Sequence, residues 1–330
     1  MRLSISNLSR NAVLVLLALA VVFAADARAV TIDWTTVGNP HNLSDTTGRG
    51  SVATSYRIDK YEVTNQQYVD FLNAVDPNGS NTLGLFNTSM NIPSFIAISF
   101  DPLAGAGHQY SVVSGRGSQP VTYVTLYDTL RFANWLNNGQ GSASTETGAY
   151  NLTGGTPTPS NANSIVRTLN ASVFIPNVNE WYKAAYYDPR TTAQGGPPSD
   201  SHYWLYPTSS NTAPTATGPT ASPNSANYNG VVSNTFVDIG SYPSSASPYG
   251  TFDQGGNAFE LNESVLNFVG MYCGYSGVPA SWMISSFQIP ITSSTWDSAV
   301  GFRVASAVPE PSSLALAALG FIGLCCLRRR

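Results

Sequence analysis

Helical periodicity is scarce in this 330-residue chain, and that scarcity limits the folds it can adopt. Three segments, at residues 64–75, 125–139 and 176–187, place apolar residues at the spacing of an amphipathic helix. Between them lie short apolar runs separated by Asn, Ser, Thr, Gly and Pro, which is typical of loops and short strands. The sequence therefore predicts a loop-rich α+β fold with few helices.

Each predicted helix has its own start signal. Thr64 and Thr125 precede the first two helices and are good N-cap residues. Asn177, the second residue of the third segment, lies three residues before Glu180, and this spacing predicts a variant of the capping box. Gly139 offers a stop for the second helix.

The N-terminus has the pattern of a secretory signal. Two arginines accompany an apolar run at residues 12–24, which is short for a membrane span, and Ala-Arg-Ala follows at 27–29. This order predicts a signal peptide over residues 1–29 and a mature chain that begins at Val30. The alternative is an uncleaved membrane anchor.

The C-terminus carries a tripartite pattern over residues 307–330. Val-Pro-Glu-Pro at 308–311 precedes an apolar run at 314–327, and three arginines end the chain. The run is shorter than the roughly 20 residues that a bilayer span needs, and the arginines favour the cytoplasmic side. The pattern resembles the PEP-CTERM sorting signal, which implies an exosortase-type protease as partner and a Gram-negative-type bacterium as source. It implies export to the cell surface or extracellular matrix after transient anchoring in the inner membrane. A permanent anchor is the alternative.

The segment between the two ends, residues 30–306, is acidic. It keeps nine of the 15 basic and 17 of the 19 acidic residues, a formal net charge of −8. Such a domain is a poor partner for nucleic acid, which needs basic patches, but it suits a cation such as Ca²⁺. We expect membrane contact only through the C-terminal tail.

Five blocks in this segment resemble the formylglycine-generating enzymes, also called sulfatase-modifying factors. In order they are "YRIDKYEVTNQQYVDFLNAV" (56–75), "QPVTYVTLYDTLRFANWLN" (119–137), "FIPNVNEWYKAA" (174–185), "SYPSSASPYGTFDQGGNAFE" (241–260) and "GFRV" (301–304). The resemblance implies one domain with a variant of the C-type lectin-like fold. It also implies an aerobic activity, the oxidation of a sulfatase cysteine to formylglycine at Cu(I) held by two cysteines.

The stretch "FDQGGNAFE" is the best candidate for a metal site. Carboxylates and turned backbone carbonyls are the oxygen ligands that Ca²⁺ prefers, although an acid-glycine loop is also a common solvated turn. The family resemblance implies a structural Ca²⁺ bound by the side chains of Asp253 and Glu260 and by the carbonyls of Gly256 and Ala258. It implies a second calcium site that includes Asn227.

Cys273 is the weak catalytic candidate. It is the only cysteine outside the C-terminal tail, whereas a linear Cu(I) site needs two soft thiolates. By resemblance, the two cysteines of active enzymes fall at Gly274 and Pro279. Copper is therefore not expected. Cys273 is predicted to be a small, partly buried residue, and a free thiol or an intermolecular disulfide is the alternative.

These observations favour an exported binding or structural module without oxidase activity. The alternatives are an active formylglycine-generating oxidase and an iron-dependent oxygenase on the same scaffold. The three histidines at 41, 108 and 202 do not have metal-ligand spacing. Extracellular polysaccharide is a candidate partner, because the aromatic stretch "HYWLYP" (202–207) could stack on sugar rings, although it could equally belong to the core.

Overall fold

The computed structural model describes residues 29–91, 97–198, 202–233, 235–263, 269–272, 274–291, 293–294 and 297–308. Three α-helices lie within these ranges: α1 (Asn65–Val75), α2 (Leu126–Asn137) and α3 (Val178–Tyr186). The strands are β1 (Trp34–Val37), β2 (Tyr56–Asp59), β3 (Ile98–Phe100), β4 (Tyr110–Val112), β5 (Val173–Phe174), β6 (Thr215–Ala216), β7 (Ser225–Ala226), β8 (Phe259–Leu261), β9 (Val269–Tyr272), β10 (Ile289–Ile291), β11 (Val300–Phe302) and β12 (Ala305–Ala307). The α+β prediction is confirmed.

The predicted N-caps are confirmed for all three helices. The side chain of Thr64 accepts a hydrogen bond from Gln67 N, and that of Thr125 accepts one from Asp128 N. Asn177 accepts from Glu180 N, and the Glu180 carboxylate accepts from Asn177 N at 2.7 Å. Each pair closes a capping box, which satisfies two backbone donors that a helix start leaves open.

Two four-stranded sheets organise the described chain. The first has the order β1-β2-β12-β5 and is antiparallel throughout. The second has the order β10-β9-β8-β11, in which β8 and β11 run parallel and the other pairs antiparallel. β11 belongs to the second sheet and β12 to the first, and only residues 303–304 separate them, so this segment joins the two sheets.

Two short pairs complete the topology, β3 with β4 and β6 with β7. The antiparallel β3–β4 hairpin lies within a long stretch, residues 78–117, that has no helical periodicity. The short apolar segments of the hairpin pair with each other, and a single-strand pattern does not reveal such pairing.

The main hydrophobic core lies between α1 and α2 and reaches the second sheet. Phe71 of α1 and Phe132 of α2 pack edge to face with ring centroids 5.3 Å apart. Phe132 also meets Phe302 of β11 at 5.4 Å, and Trp135 packs on Phe71 at 5.2 Å. These buried rings fix β11 against the helices, and the residue after β11, Arg303, enters the region that holds the predicted metal ligands.

Within the described residues, no helix has both the length and the apolar character needed to cross a membrane. The apolar runs at residues 12–24 and 314–327 lie outside those residues. The predicted signal peptide (1–29) and the predicted membrane helix of the tail therefore stay predictions.

Candidate functional site

The predicted metal-binding loop, residues 253–258, is pressed against the backbone of Asn227. Gly256 has a φ of +91°, and a Cβ at this position would lie 2.5 Å from the carbonyl oxygen of Asn227. Only glycine fits there, because a side chain would be strained and would collide with backbone. The next residue, Asn257, has a φ of +57° and donates its backbone N–H to the same carbonyl at 2.9 Å. The structure therefore brings Asn227 and Gly256 together.

The Asn257 side chain connects Asn227 to Glu62. Its amide oxygen accepts from Asn227 Nδ2 at 3.2 Å, and its amide nitrogen donates to Glu62 Oε1 at 3.3 Å. The outer oxygens of this arrangement, Asn227 Oδ1 and Glu62 Oε2, are buried and have no hydrogen-bond partner. Buried polar atoms normally have a partner, so these two orphaned oxygens, one on each residue that bonds to the Asn257 amide, require an explanation.

Glu260 of β8 is engaged differently. It is 1% exposed, and its two oxygens accept from Arg303 Nε at 2.6 Å and Arg303 Nη2 at 2.5 Å. Trp181 of α3 donates its indole N–H to Glu260 Oε2 at 2.7 Å. The remaining Arg303 donors reach the backbone carbonyls of Asp59, Lys60 and Phe252 at 2.9–3.0 Å. All five N–H donors of Arg303 are therefore used, in a bidentate buried ion pair.

The other two predicted positions lie at the ends of the loop. Asp253 has a φ of +59°, and its carboxylate accepts from Gly240 N at 2.7 Å. Ala258 is 2% exposed and lies next to Phe259, whose N–H donates to Ala299 O at 2.8 Å. The loop thus begins at a buried turn and ends as a strand of the second sheet.

Acidic side chains outnumber basic ones in this region. Burial raises the pKa of Glu62 well above its ordinary value, and the nearby carboxylates Asp253 and Glu260 raise it further. Burial also raises the pKa of Asp253 to about 6 and that of Asp59 to about 8, although Arg303 opposes both shifts. Four acidic side chains thus share one guanidinium.

The oxygen atoms around Asn257 are chemically suited to bind a hard cation such as Ca²⁺, which prefers oxygen ligands. Two of them, Asn227 Oδ1 and Glu62 Oε2, are buried without a hydrogen bond. Glu260 is the exception, because its oxygens already accept three hydrogen bonds. In the part of the chain that the structure describes, no three His, Cys, Asp or Glu side chains converge as a metal-binding group. Asn227 and backbone carbonyls would therefore have to complete any calcium site.

Sequence reasoning did not assign a role to Glu62, Asn257 or Arg303. All three lie inside the quoted blocks, so a signal marked their positions. Their partners lie far away in sequence, however, since Glu62 and Asn257 are 195 positions apart and Glu260 and Arg303 are 43 positions apart. Such pairings depend on tertiary structure and are invisible to local spacing.

The family of the chain follows from a comparison with protein-family models. The model of the sulfatase-modifying factor enzyme 1-like domain matches residues 37–308. This chain belongs to the sulfatase-modifying factor family. A PEP-CTERM protein-sorting motif follows at residues 307–330, as the C-terminal pattern predicted. Such a motif implies export and surface sorting in Gram-negative bacteria, and recognition by an exosortase system.

Two solved structures, those with TM-scores above 0.5, agree with the fold of this family member. A structure titled "Crystal Structure of CarF" has a TM-score of 0.55 at 16% identity and covers 85% of this chain and 100% of its own. Variable protein 1 of Treponema denticola has a TM-score of 0.53 at 14% identity and covers 86% and 97%. PvdO from Pseudomonas aeruginosa has a TM-score of 0.42 at 16% identity. No curated protein matches the sequence.

Gly274 and Pro279, the two positions at which the sequence resemblance places the family's cysteines, have a distinctive local structure. Gly274 is buried with a φ of +64°, and a Cβ there would lie 3.0 Å from Val278 Cγ2 and 3.2 Å from Met283 Cγ. Pro279 caps the 3₁₀ turn Ala280–Trp282. A cysteine at position 274 would thus be both strained and crowded. Cys273 itself lies outside the described residues.

Proposed function

We propose that this family member is an exported, non-catalytic binding module that is displayed at the cell surface or in the extracellular matrix. The observation that carries the proposal is the local structure at residues 274 and 279. The first has a left-handed backbone in tight packing, and the second is a proline. With Cys273 as the one cysteine outside the tail, the chain offers one thiolate where Cu(I) needs two.

An oxidase assay tests this proposal. The purified domain is incubated with Cu(I), O₂ and a peptide that contains Cys-x-Pro-x-Arg, and the peptide mass is measured. We expect no conversion to formylglycine. Conversion that Cys273→Ser abolishes would show the oxidase instead.

Metal analysis of the same preparation separates the remaining alternatives. Calcium alone supports the binding module, copper supports the oxidase, and iron supports the oxygenase. An iron site would require histidine ligands; His202 Nδ1 lies 3.2 Å from Asp188 O and 3.3 Å from Arg190 O, both backbone carbonyls. His202→Ala should therefore leave the metal content unchanged.

The proposal includes a structural Ca²⁺ at the loop of residues 253–258. The loop carbonyls of Gly256 and Ala258 and the carboxylate of Asp253 are predicted ligands, and Glu260, the fourth, would have to bind the ion while it stays paired with Arg303. Asn227, which the resemblance assigns to a second calcium site, lies against Gly256, and we add its orphaned side-chain oxygen to the site at this loop. The ion would supply positive charge to a region rich in buried carboxyls and would tie its loops together.

The proposed partner is extracellular polysaccharide. Sorting to the surface places the domain among such polymers, and its net charge of −8 makes nucleic acid an unfavourable partner. Gel electrophoresis through soluble polysaccharides tests this point. Retardation by at least one polymer is expected, and unchanged mobility in every polymer would contradict it. Transient inner-membrane anchoring by the C-terminal tail is also part of the proposal, and fractionation of cells with and without residues 307–330 tests it.

A further inference from the structure

A groove of about 300 Å³ opens where three loops meet, far in sequence from the metal-binding loop. It is lined by Asp45, Thr46, Tyr203, Trp204, Leu205, Asn211 and Ser285, which together we name the Trp204 groove. Its volume is at the lower end of the range for small-molecule sites. Part of "HYWLYP", the aromatic stretch considered in the sequence, lies in this groove, whereas Tyr206 is buried in the core.

Hydrogen bonds hold the walls of the Trp204 groove in place. Trp204 N donates to Tyr186 O at the end of α3 at 3.0 Å, and the indole Nε1–H donates to Asp188 Oδ2 at 3.0 Å. Leu205 N donates to Asn211 Oδ1 at 2.8 Å, and Ser285 N donates to Leu205 O at 2.9 Å. The shape is therefore built before any ligand binds, which lowers the entropic cost of binding.

The polar groups of the groove can both donate and accept hydrogen bonds. Asp45 receives bonds from Thr47 N at 2.7 Å and from the Tyr182 hydroxyl, which fix its carboxylate at the groove. Asn211 is exposed, and its amide oxygen accepts from Leu205 N, which leaves its amide nitrogen as a hydrogen-bond donor for a ligand. Thr46 adds an exposed hydroxyl. Paired donors and acceptors of this kind suit a ligand with many hydroxyl groups.

The apolar groups complete the pattern. Trp204 is half-buried, and Leu205 beside it is 38% exposed. The backbone carbonyl of Leu43, whose side chain is 85% exposed, accepts from the hydroxyl of the lining residue Tyr203 at 2.9 Å. A sugar ring has an apolar C–H face and a polar edge, and an indole with polar neighbours complements both.

The charge of the lining residues indicates which class of sugar the groove can bind. Among the described residues that line the groove, Asp45 is the one carboxylic acid and none is Lys or Arg. An anionic sugar would therefore meet a carboxylate without a compensating cation, which disfavours binding. We propose that the Trp204 groove binds one unit of a neutral oligosaccharide, with the ring packed on Trp204 and the hydroxyls bonded to Asp45 and Asn211. This inference rests on the proposed binding function.

Isothermal titration calorimetry with cellohexaose, chitohexaose and hexaguluronate tests the assignment. We expect the domain to bind a neutral hexamer and not the uronate. Trp204→Ala should weaken binding about tenfold, because it removes the aromatic surface, whereas Trp204→Phe keeps a ring and should retain most of the affinity. Asn211→Asp keeps the acceptor for Leu205 N but removes the donor, and it should weaken binding without unfolding the loop.

Trp34→Ala is the matched control, because Trp34 is also a half-buried indole but packs beside Arg57, at 5.3 Å, on the first sheet. Its affinity should equal that of the unmodified protein. Equal binding by Trp204→Ala and by the unmodified protein would overturn the groove assignment and leave the proposed function intact. Binding of the uronate alone would overturn the neutral-sugar assignment. Failure of the unmodified protein to bind any of the three hexamers would overturn the inference, and the proposed function would fall with it only if the soluble polysaccharides also fail.

Discussion

Arg167, which is partly exposed, and Arg303, which is fully buried, both bind carboxylates inside the fold, and they differ in how their charge is balanced. Arg167 binds Glu180 and Glu263 at 2.7 Å each, lies 3.6 Å above the Phe174 ring, and is 20% exposed. Arg303 is fully buried and binds Glu260. The Arg167 region has two carboxylates for one cation, whereas the Arg303 region has four acidic side chains near its one cation.

The larger number of acidic side chains around Arg303 shows that this region needs a further cation, or bound protons, to balance its charge. Glu180 and Glu263 share a partly hydrated arginine, so water can stabilise the excess charge. Glu62 and Asp59 are 0% and 2% exposed, and water cannot reach them. A buried carboxyl without a nearby cation remains protonated or binds a metal ion.

Replacement of the two arginines should give the largest effect. Arg303→Met leaves Glu260 buried without its cation and should lower the free energy of unfolding by about 3–5 kcal/mol. Arg167→Met should cost about 2 kcal/mol, because its partners keep some access to water. Urea unfolding of both variants gives the comparison. If Arg303→Met does not fold, Glu260→Gln provides a milder change, and a larger loss for Arg167→Met would reverse the order.

Calcium should stabilise the fold through the region of Arg303 and Asn227, and not through the region of Arg167. At a Ca²⁺ concentration 100 times the dissociation constant, the free energy of unfolding should rise by about 2.7 kcal/mol relative to EDTA. Asn227→Ala should remove this increase, and Asn151→Ala, on an exposed loop, should retain it. Identical unfolding curves in Ca²⁺ and EDTA would contradict the calcium proposal.

The pH dependence should distinguish a carboxyl near Arg303 from one elsewhere. Burial raises the pKa of Asp59 to about 8 and that of Asp128, in α2, to about 6. In both cases the folded state holds its proton more tightly than the unfolded state, so stability falls as pH rises from about 4 through the folded pKa. Each pKa unit corresponds to about 1.4 kcal/mol.

Measured in EDTA, the decrease in stability caused by Asp59 should therefore extend to about pH 8, and that caused by Asp128 should end near pH 6. Asp59→Asn and Asp128→Asn should each flatten their part of the profile. The difference between each variant and the unmodified protein gives the contribution of that carboxyl together with its coupling to neighbouring charges. Stability that rises from pH 4 to pH 8 because of Asp59 would contradict the assignment.

The smallest effect concerns the cap of α3. Asn177→Ala removes the acceptor for Glu180 N at 3.0 Å and should lower the free energy of unfolding by about 1 kcal/mol. Because Glu180 also binds Arg167, the loss should exceed that of Thr64→Ala, whose capping box has no arginine partner. Equal losses would show that the cap and the Arg167 region are independent, and thermal unfolding measures both.

The local features of this fold were predictable, and the long-range ones were not. Thr64, Thr125 and Asn177 cap helices because a short polar side chain reaches backbone donors two or three residues away, which depends only on sequence spacing. The blocks 174–185 and 301–304 marked Trp181 and Arg303 as parts of a family pattern. Nothing in their spacing showed that both donate to Glu260, because that contact depends on how three elements pack.

The candidate site divides in the same way. The glycine at position 256 was predicted to turn the loop, and the reason, contact with the Asn227 backbone, appears only in the structure. The Trp204 groove was equally hidden, because Asp45 and Ser285 are separated from the aromatic stretch by more than 70 residues each. Aromatic residues in a sequence indicate surface area, but the polar groups beside them depend on tertiary structure.

The position of β12 has a consequence for the order of events during secretion. This strand, Ala305–Ala307, lies inside the first sheet between β2 and β5, and the sorting motif begins at residue 307. When the chain is exported with its N-terminus first, the first sheet cannot close until almost the last residue of the domain has emerged. Folding of the domain and presentation of its sorting signal then become nearly simultaneous steps, with no spacer between them.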